Sequence, residues 1–205
     1  MDVKRRRYNS PQRDEQANAT RQQILRAAER LFARQGFMAA TLRAIAREAD
    51  VSLATVYLYF SGRAAIVSAL AEEVVSAADL SVEQVLHRGE PIDQVRVGVR
   101  VIRTLNERSW LITDILRSFR GGDEELTRLW ALWQERHLDA VRRATMAIAA
   151  SGGLRAGLTI DEAADVLYAV AGTEVYRALV HDRGWTPERY ESWLFEFGRR
   201  ELLGM

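Results

Sequence analysis

Helix breakers are scarce in this chain. Three prolines and thirteen glycines interrupt a sequence dominated by Ala, Leu, Arg and Glu, all good helix formers, so the expected fold class is all-α. With 205 residues, 48% of them hydrophobic, there is enough chain for one or two globular domains with a sizeable core. The absence of cysteine excludes disulfides, Cys-ligated zinc and thiol catalysis. No run of 18 apolar residues occurs, and the opening MDVKRRRYNSPQRDEQ lacks the apolar stretch of a signal peptide. A cytoplasmic protein with no membrane partner is therefore expected.

The net charge of +1 conceals an asymmetry. Residues 1–63 carry 12 Lys+Arg against 6 Asp+Glu, and residues 64–205 carry 17 against 22. Such a split suits a first part that meets a polyanion, although a solvated basic surface would give the same count. The expected division is a basic flexible arm over 1–19, a domain over 20–63 and a second domain over 64–205. The Lys4-Arg5-Arg6-Arg7 run could follow a DNA minor groove or stay solvated.

From Thr20, apolar residues recur at three- and four-residue steps (Ile24, Ala27, Ala28, Leu31, Phe32), the signature of one buried helical face. Gly36 can close that helix in the left-handed conformation, with Phe37 folding back on its last turn. Thr41 is placed to N-cap a short second helix with Leu42, Ile45, Ala46 and Ala49 as its stripe. Asp50-Val51-Ser52 then makes a tight turn in which Asp50 tolerates positive φ and Ser52 caps a third helix, Leu53 to Phe60. Only Val56 and Phe60 of that helix fall on an inward spacing, while Thr55, Tyr57, Leu58 and Tyr59 point elsewhere. Two short helices around a tight turn, the second with side chains to spare, form the helix-turn-helix arrangement whose second helix enters the DNA major groove.

The stretch ILRAAERLFARQGFMAATLRAIAREADVSLATVYLYFSGRAAIVSAL closely resembles the N-terminal domain of TetR-type (TetR/AcrR) transcriptional regulators over about 45 residues. It departs from the family pattern at Asp50, where Gly is usual, at Ala54, again for Gly, and at Arg63, for Lys. Carried over by position, the resemblance implies that Thr41, Ser52, Tyr57 and Arg63 bond phosphates. It also implies that Leu53, Ala54, Thr55 and Leu58 face base edges. Tyr59 is a further candidate for DNA contact, with ordinary aromatic packing as the alternative reading for both tyrosines.

Beyond Arg63 the sequence predicts six more helices, about nine in all. A fourth starts near Ser61 and a fifth follows Gly89-Glu90-Pro91. A sixth spans Ser109–Phe119, and a seventh runs from Asp123 to about Ala150. The eighth, from Thr159 to about Asp182, opens on the capping-box spacing Thr-Ile-Asp-Glu, and the ninth opens at Thr186-Pro187. The resemblance implies that the last two helices of each subunit build a homodimer interface. Seams at Ala163, Leu167, Val170, Ala171, Val175 and Ala178, and at Tyr190, Trp193, Leu194 and Phe197, suit that role or packing within the chain. Trp110, Trp130, Trp133, Phe119 and Tyr168 suit a cavity for an apolar or aromatic molecule, with Arg103, Arg117, His137 or Glu174 as orienting groups; core packing is the plainer reading for each aromatic.

Enzyme signatures are absent. His87, His137 and His181 are too isolated for a metal pair, no Gly-x-Ser-x-Gly elbow or nucleotide motif occurs, and neither metal nor cofactor is expected. The resemblance thus implies a ligand-responsive regulator, most simply a repressor released from a near-palindromic double-stranded operator by a small apolar or aromatic effector. A helical small-molecule-binding or scaffold protein without DNA binding is the rival reading, and the basic helix-turn-helix end argues against it.

Overall fold

The computed structural model describes residues 11–86, 89–119 and 121–205; the Lys4–Arg7 run and His87 lie outside them. Every regular element among these residues is helical: α1 (Pro11–Gln35), α2 (Leu42–Glu48), α3 (Leu53–Tyr59), α4 (Arg63–Leu86), α5 (Pro91–Phe119), α6 (Glu124–Ala150), α7 (Ile160–Ala171), α8 (Thr173–Tyr176, continued by a π-helical segment, Arg177–Asp182) and α9 (Pro187–Glu201). Two compact units part after Ala69, six residues past the boundary expected at Arg63.

In the first unit, α1 begins at Pro11, nine residues before the apolar period starts, so residues 11–19 are helix rather than arm. The predicted face is buried: Ile24, Ala27, Ala28, Leu31 and Phe32 are each at most 3% exposed. Gly36 closes α1 at φ +81°, and Phe37 returns to pack its ring 5.4 Å from that of Phe32. α1 packs on α2, and α2 on α3.

The second unit differs from its sequence expectation in two places. The anticipated fifth and sixth helices are one, α5. Its buried stripe passes through Asn106, Ser109 and Thr113, polar residues that interrupt an apolar period without interrupting a helix. The anticipated eighth helix instead breaks at Gly172, whose ψ of 160° ends α7. Asn106 Nδ2 compensates by donating to the Ala171 carbonyl at 3.1 Å and to the Tyr190 hydroxyl at 3.3 Å, so α5, α7 and α9 meet in one buried polar junction. The caps at Asp123, Thr159 and Thr186 accept from the backbone as their spacing predicts, and the Thr159–Glu162 capping box is complete. α5 packs on α6, α8 and α9, and α6 on α7, around a core that includes Val95, Val99, Ile148, Tyr176, Tyr190 and Leu194.

Candidate nucleic-acid interface and ligand cavity

The helix-turn-helix is assembled by short-range capping. Thr41 Oγ1 accepts from the Ala44 amide at 3.1 Å, and Ser52 Oγ accepts from the Thr55 amide at 2.9 Å. Each hydroxyl thereby satisfies one of the amides that a helix start leaves free. Between the helices Asp50 sits at φ +51°, a conformation that Asp tolerates better than most residues. The Gln23 amide donates to the Ala49 carbonyl at 2.6 Å, tying the turn to α1. Glu48 accepts from Arg30 and Arg34, each at 3.1 Å, and those two hydrogen bonds, Arg30's first, hold its carboxyl below the usual carboxylate range.

α3 buries Val56 alone and presents the rest. Tyr57 is 56% exposed and Leu58 78%, beside exposed Ala54 and half-buried Leu53, Thr55 and Tyr59. An exposed leucine and tyrosine on a seven-residue helix leave apolar and aromatic surface in water that folding does not use. Thr55 Oγ1 is 2.7 Å from Ser52 Oγ, so both hydroxyls are held at the helix start. Arg43 and Arg47 on α2 are exposed, two cations that the motif comparison does not single out but that the helical period of α2 places on its outer face.

Arg63, expected to bond a phosphate, has partners within the chain. Its Nη1 donates to the carbonyls of Phe37 at 2.7 Å, Met38 at 3.0 Å and Ala40 at 3.4 Å, and its guanidinium carbon lies 4.8 Å from the centroid of the Phe37 ring. The arginine therefore fastens the α1–α2 loop to the start of α4, a role that a lysine, with one compact charge, fills less well.

The second unit holds a partly open cavity of about 150 Å³. Of the expected ligand residues, Trp130, Trp133, His137 and Glu174 line it, with Ile102, Leu105, Ala140, Ala144 and Leu167 among its apolar walls. Burial pushes the His137 imidazole below its ordinary pKa, with Glu174 opposing, and so favours the neutral ring. Tyr168 stands outside the lining, its ring 4.8 Å from His137. Trp110 and Arg117 line a separate cleft of about 10 Å³; Trp110 stacks 4.3 Å from His181, and Arg117 pairs with Asp114 at 2.7 Å. Arg103 is held by Glu107 and Glu191, each at 2.6 Å, and lines neither space, nor does Phe119. Asn106 and Ser109 do line the cavity; their positions follow from helical phase only when α5 is read as one helix. Among the described residues no group of three His, Asp or Glu could hold a metal ion, and no single helix is long and apolar enough to cross a membrane.

Of the expected dimer seam, Ala163, Ala171, Tyr190 and Leu194 are buried within the chain itself, and Leu167 lines the cavity. Val170, Val175, Ala178, Trp193 and Phe197 remain half-buried.

Residues 24–70 match the family model described as bacterial regulatory proteins, tetR family. No curated protein is similar to the chain in sequence. Among solved structures, SmeT in complex with triclosan is similar at 23% identity and a TM-score of 0.73, over 88% of this chain and 90% of that one. A chain from Saccharomonospora viridis, described as a transcriptional regulator in complex with choline, is similar at 21% identity and a TM-score of 0.74, over 91% and 98%. The regulator FadR from Bacillus subtilis, in complex with stearoyl-CoA, follows at 18% identity and a TM-score of 0.69, over 86% and 96%. The helix-turn-helix thus lies wholly within the stretch that matches the tetR-family model, and the chain shares its fold with these solved structures.

Proposed function

We propose that the protein is a homodimeric repressor that leaves a near-palindromic operator when a small apolar or aromatic effector enters its second unit. The observation that carries this reading is the division of labour between the two units. One presents a capped, outward-facing α3 with Tyr57 and Leu58 exposed, and the other holds a partly open, mostly apolar cavity with Trp130 and Trp133 in its wall. A scaffold needs neither feature. Thr41, Ser52, Tyr57, Arg63 and the exposed Arg43 and Arg47 are the candidate phosphate contacts, whereas Leu53, Ala54, Thr55 and Leu58 are the candidate base contacts. Similar structures hold triclosan, choline or stearoyl-CoA, and that spread supports a ligand-responsive second unit rather than one shared effector.

A single helix, α4, runs from Arg63 into the cavity wall at Val74 and Val75 and is the natural carrier of the response. An effector acts only through its difference in affinity between two states, so a 100-fold loss of operator affinity needs about 2.7 kcal/mol of coupling, within the usual allosteric range. The function is regulatory rather than catalytic, and a cytoplasmic location follows from DNA as the partner.

Enrichment of random double-stranded DNA on the purified protein tests the reading. A near-palindrome is expected, because a two-fold dimer presents two identical reading helices. Recovery of no sequence preference would favour the scaffold reading. Val170→Asp should yield a monomer that no longer retains the operator, and sedimentation of the wild type as a monomer at micromolar concentration would remove the dimer from the proposal.

A further inference from the structure

Two charged side chains line the partly open cavity, Glu174 on α8 and Arg136 on α6, and both are exposed. They are not equivalent. Gly172, at the break between α7 and α8, has φ −68° and ψ 160°, a conformation open to any residue, so backbone freedom does not account for the glycine. Space does. A Cβ there would lie 3.0 Å from Glu174 Oε2, 3.6 Å from the Tyr168 carbonyl oxygen and 3.7 Å from His137 Cε1. The missing side chain leaves the room into which the Glu174 carboxylate folds, beside the edge of the His137 ring.

That carboxylate has no counterion within the chain. Glu174 makes no ion pair among the described residues, and the two arginines of the narrow cleft that it also borders are engaged elsewhere, Arg117 with Asp114 at 2.7 Å and Arg177 with Asp182 at 2.8 Å. Burial sets the direction of the pKa at His137, downward, and at Tyr168, upward; the one charge that adds to it at both rings is that of Glu174. Arg136, although next to His137 in sequence, contributes at neither. Because burial favours the neutral imidazole, no imidazolium offsets the carboxylate.

The rest of the wall suits the same sign of ligand. Trp130 and Trp133 line the cavity beside Ile102, Leu105 and Leu167. Aromatic faces attract cations, tryptophan most strongly. Apolar walls accept the substituents of an organic cation, whereas a small, strongly hydrated cation would lose its water there without replacement. An anion would have Arg136 to attract it, but would also meet the carboxylate and the ring faces.

We propose that Glu174, seated over Gly172, is the charge-selecting residue of the cavity, and that the effector class is an organic cation carrying aromatic or alkyl groups, such as a quaternary ammonium. This rests on the reading of the second unit as an effector site and adds the charge that selects within it.

Calorimetric titration of the full-length protein with phenyltrimethylammonium, tert-butylbenzene and benzoate tests both levels. The first two share a shape and differ in charge, and the third reverses the charge. The wild type should bind phenyltrimethylammonium more tightly than benzoate, and added salt should weaken the ammonium but not tert-butylbenzene. Glu174→Gln keeps the size and removes the charge. It should weaken the ammonium roughly two- to fivefold, the worth of a partly exposed ion pair, and leave tert-butylbenzene unchanged. Glu174→Asp, which keeps the charge, should retain most of the ammonium affinity, and Arg136→Gln should not reduce it. Equal loss of both ligands in Glu174→Gln, or no loss of the ammonium, would overturn the assignment of Glu174 while leaving the cavity as an effector site. Benzoate binding tightest, with its affinity lost in Arg136→Gln, would overturn the cationic class. Binding of none of the three by the wild type would overturn the effector reading and this one together.

Discussion

Replacing Arg63 by alanine separates the fastening role seen in the structure from the phosphate contact proposed for the same side chain. In the folded unit its Nη1 serves three carbonyls of the α1–α2 loop and the guanidinium covers the Phe37 ring. A hydrogen bond from a charged donor contributes about 1.5–3 kcal/mol, and an exposed cation–π contact about 0.5–1 kcal/mol. Met38 is 66% exposed, so water can reach the loop and offset part of the loss, which brings the net effect near 2 kcal/mol. That corresponds to about a 30-fold change in the folding equilibrium. If the first unit melts as its own cooperative unit, a domain of this size should lose on the order of 10 °C. Differential scanning calorimetry reads that loss directly. Operator titrations across a salt series read the second role, since removal of one phosphate contact should flatten the slope of log affinity against log salt by about 0.9. Arg63→Lys keeps the charge but loses the planar fork, so it should retain the salt slope while showing part of the melting loss. A melting temperature for Arg63→Ala within a degree of wild type would refute the fastening role, whatever happened to DNA binding.

Three further perturbations follow from single features. Ser52→Ala removes the acceptor for the Thr55 amide and should cost about 1 kcal/mol, measured by chemical denaturation; an unchanged midpoint would show that the cap contributes nothing. Gly153→Ala would drive a Cβ into the Pro91 ring, 2.7 Å from its Cγ, and to 3.1 Å from Ile148 Cγ2, so a loss of roughly 1–3 kcal/mol is expected, and a neutral result would mean that the loop after α6 yields freely. His137 has a folded-state pKa below the ordinary 6.5, so the folded protein binds fewer protons than the unfolded chain. Its contribution is full above that pH, is lost as pH falls through it, and levels off once the folded-state value is passed. Melting temperatures between about pH 8 and 5 should therefore fall less steeply in His137→Gln than in wild type; equal slopes would assign the acid sensitivity elsewhere.

The first unit is the more legible half because its determinants are local. Thr41, Ser52, Asp50 and Gly36 each act within four residues of their place in sequence, and the structure shows the caps and positive φ angles that those residue types imply. The start of α1 escaped because residues 11–19 carry no apolar face, leaving Pro11 at the first turn as the sole clue. In the second unit the information is tertiary. Asn106, Ser109 and Thr113 occupy core positions where periodicity expects apolar residues, so a single 29-residue helix reads as two. Gly172 reads as a tolerable helix glycine until the Asn106 amide is seen to satisfy the carbonyl that the break exposes. The ligand candidates divided for a related reason: aromatic content signals a cavity, but the pair that withdraws Arg103 from it joins Glu191, 88 residues away, whereas Arg117 pairs with Asp114 at the ordinary i,i+3 spacing of a helix.

The junction at Asn106 constrains how this molecule can diversify. The same side chain lines the cavity of the second unit and anchors Ala171 and Tyr190, so a substitution there that reshapes the cavity also releases the end of α7 and the buried hydroxyl of α9. Ala140, Ala144 and Leu167 line the same space with side chains that carry no polar obligation. Repertoire change, whether by drift or by a laboratory library for a new sensor, therefore has its least encumbered route through the α6 and α7 wall, where volume can vary without unfastening the helices that frame it.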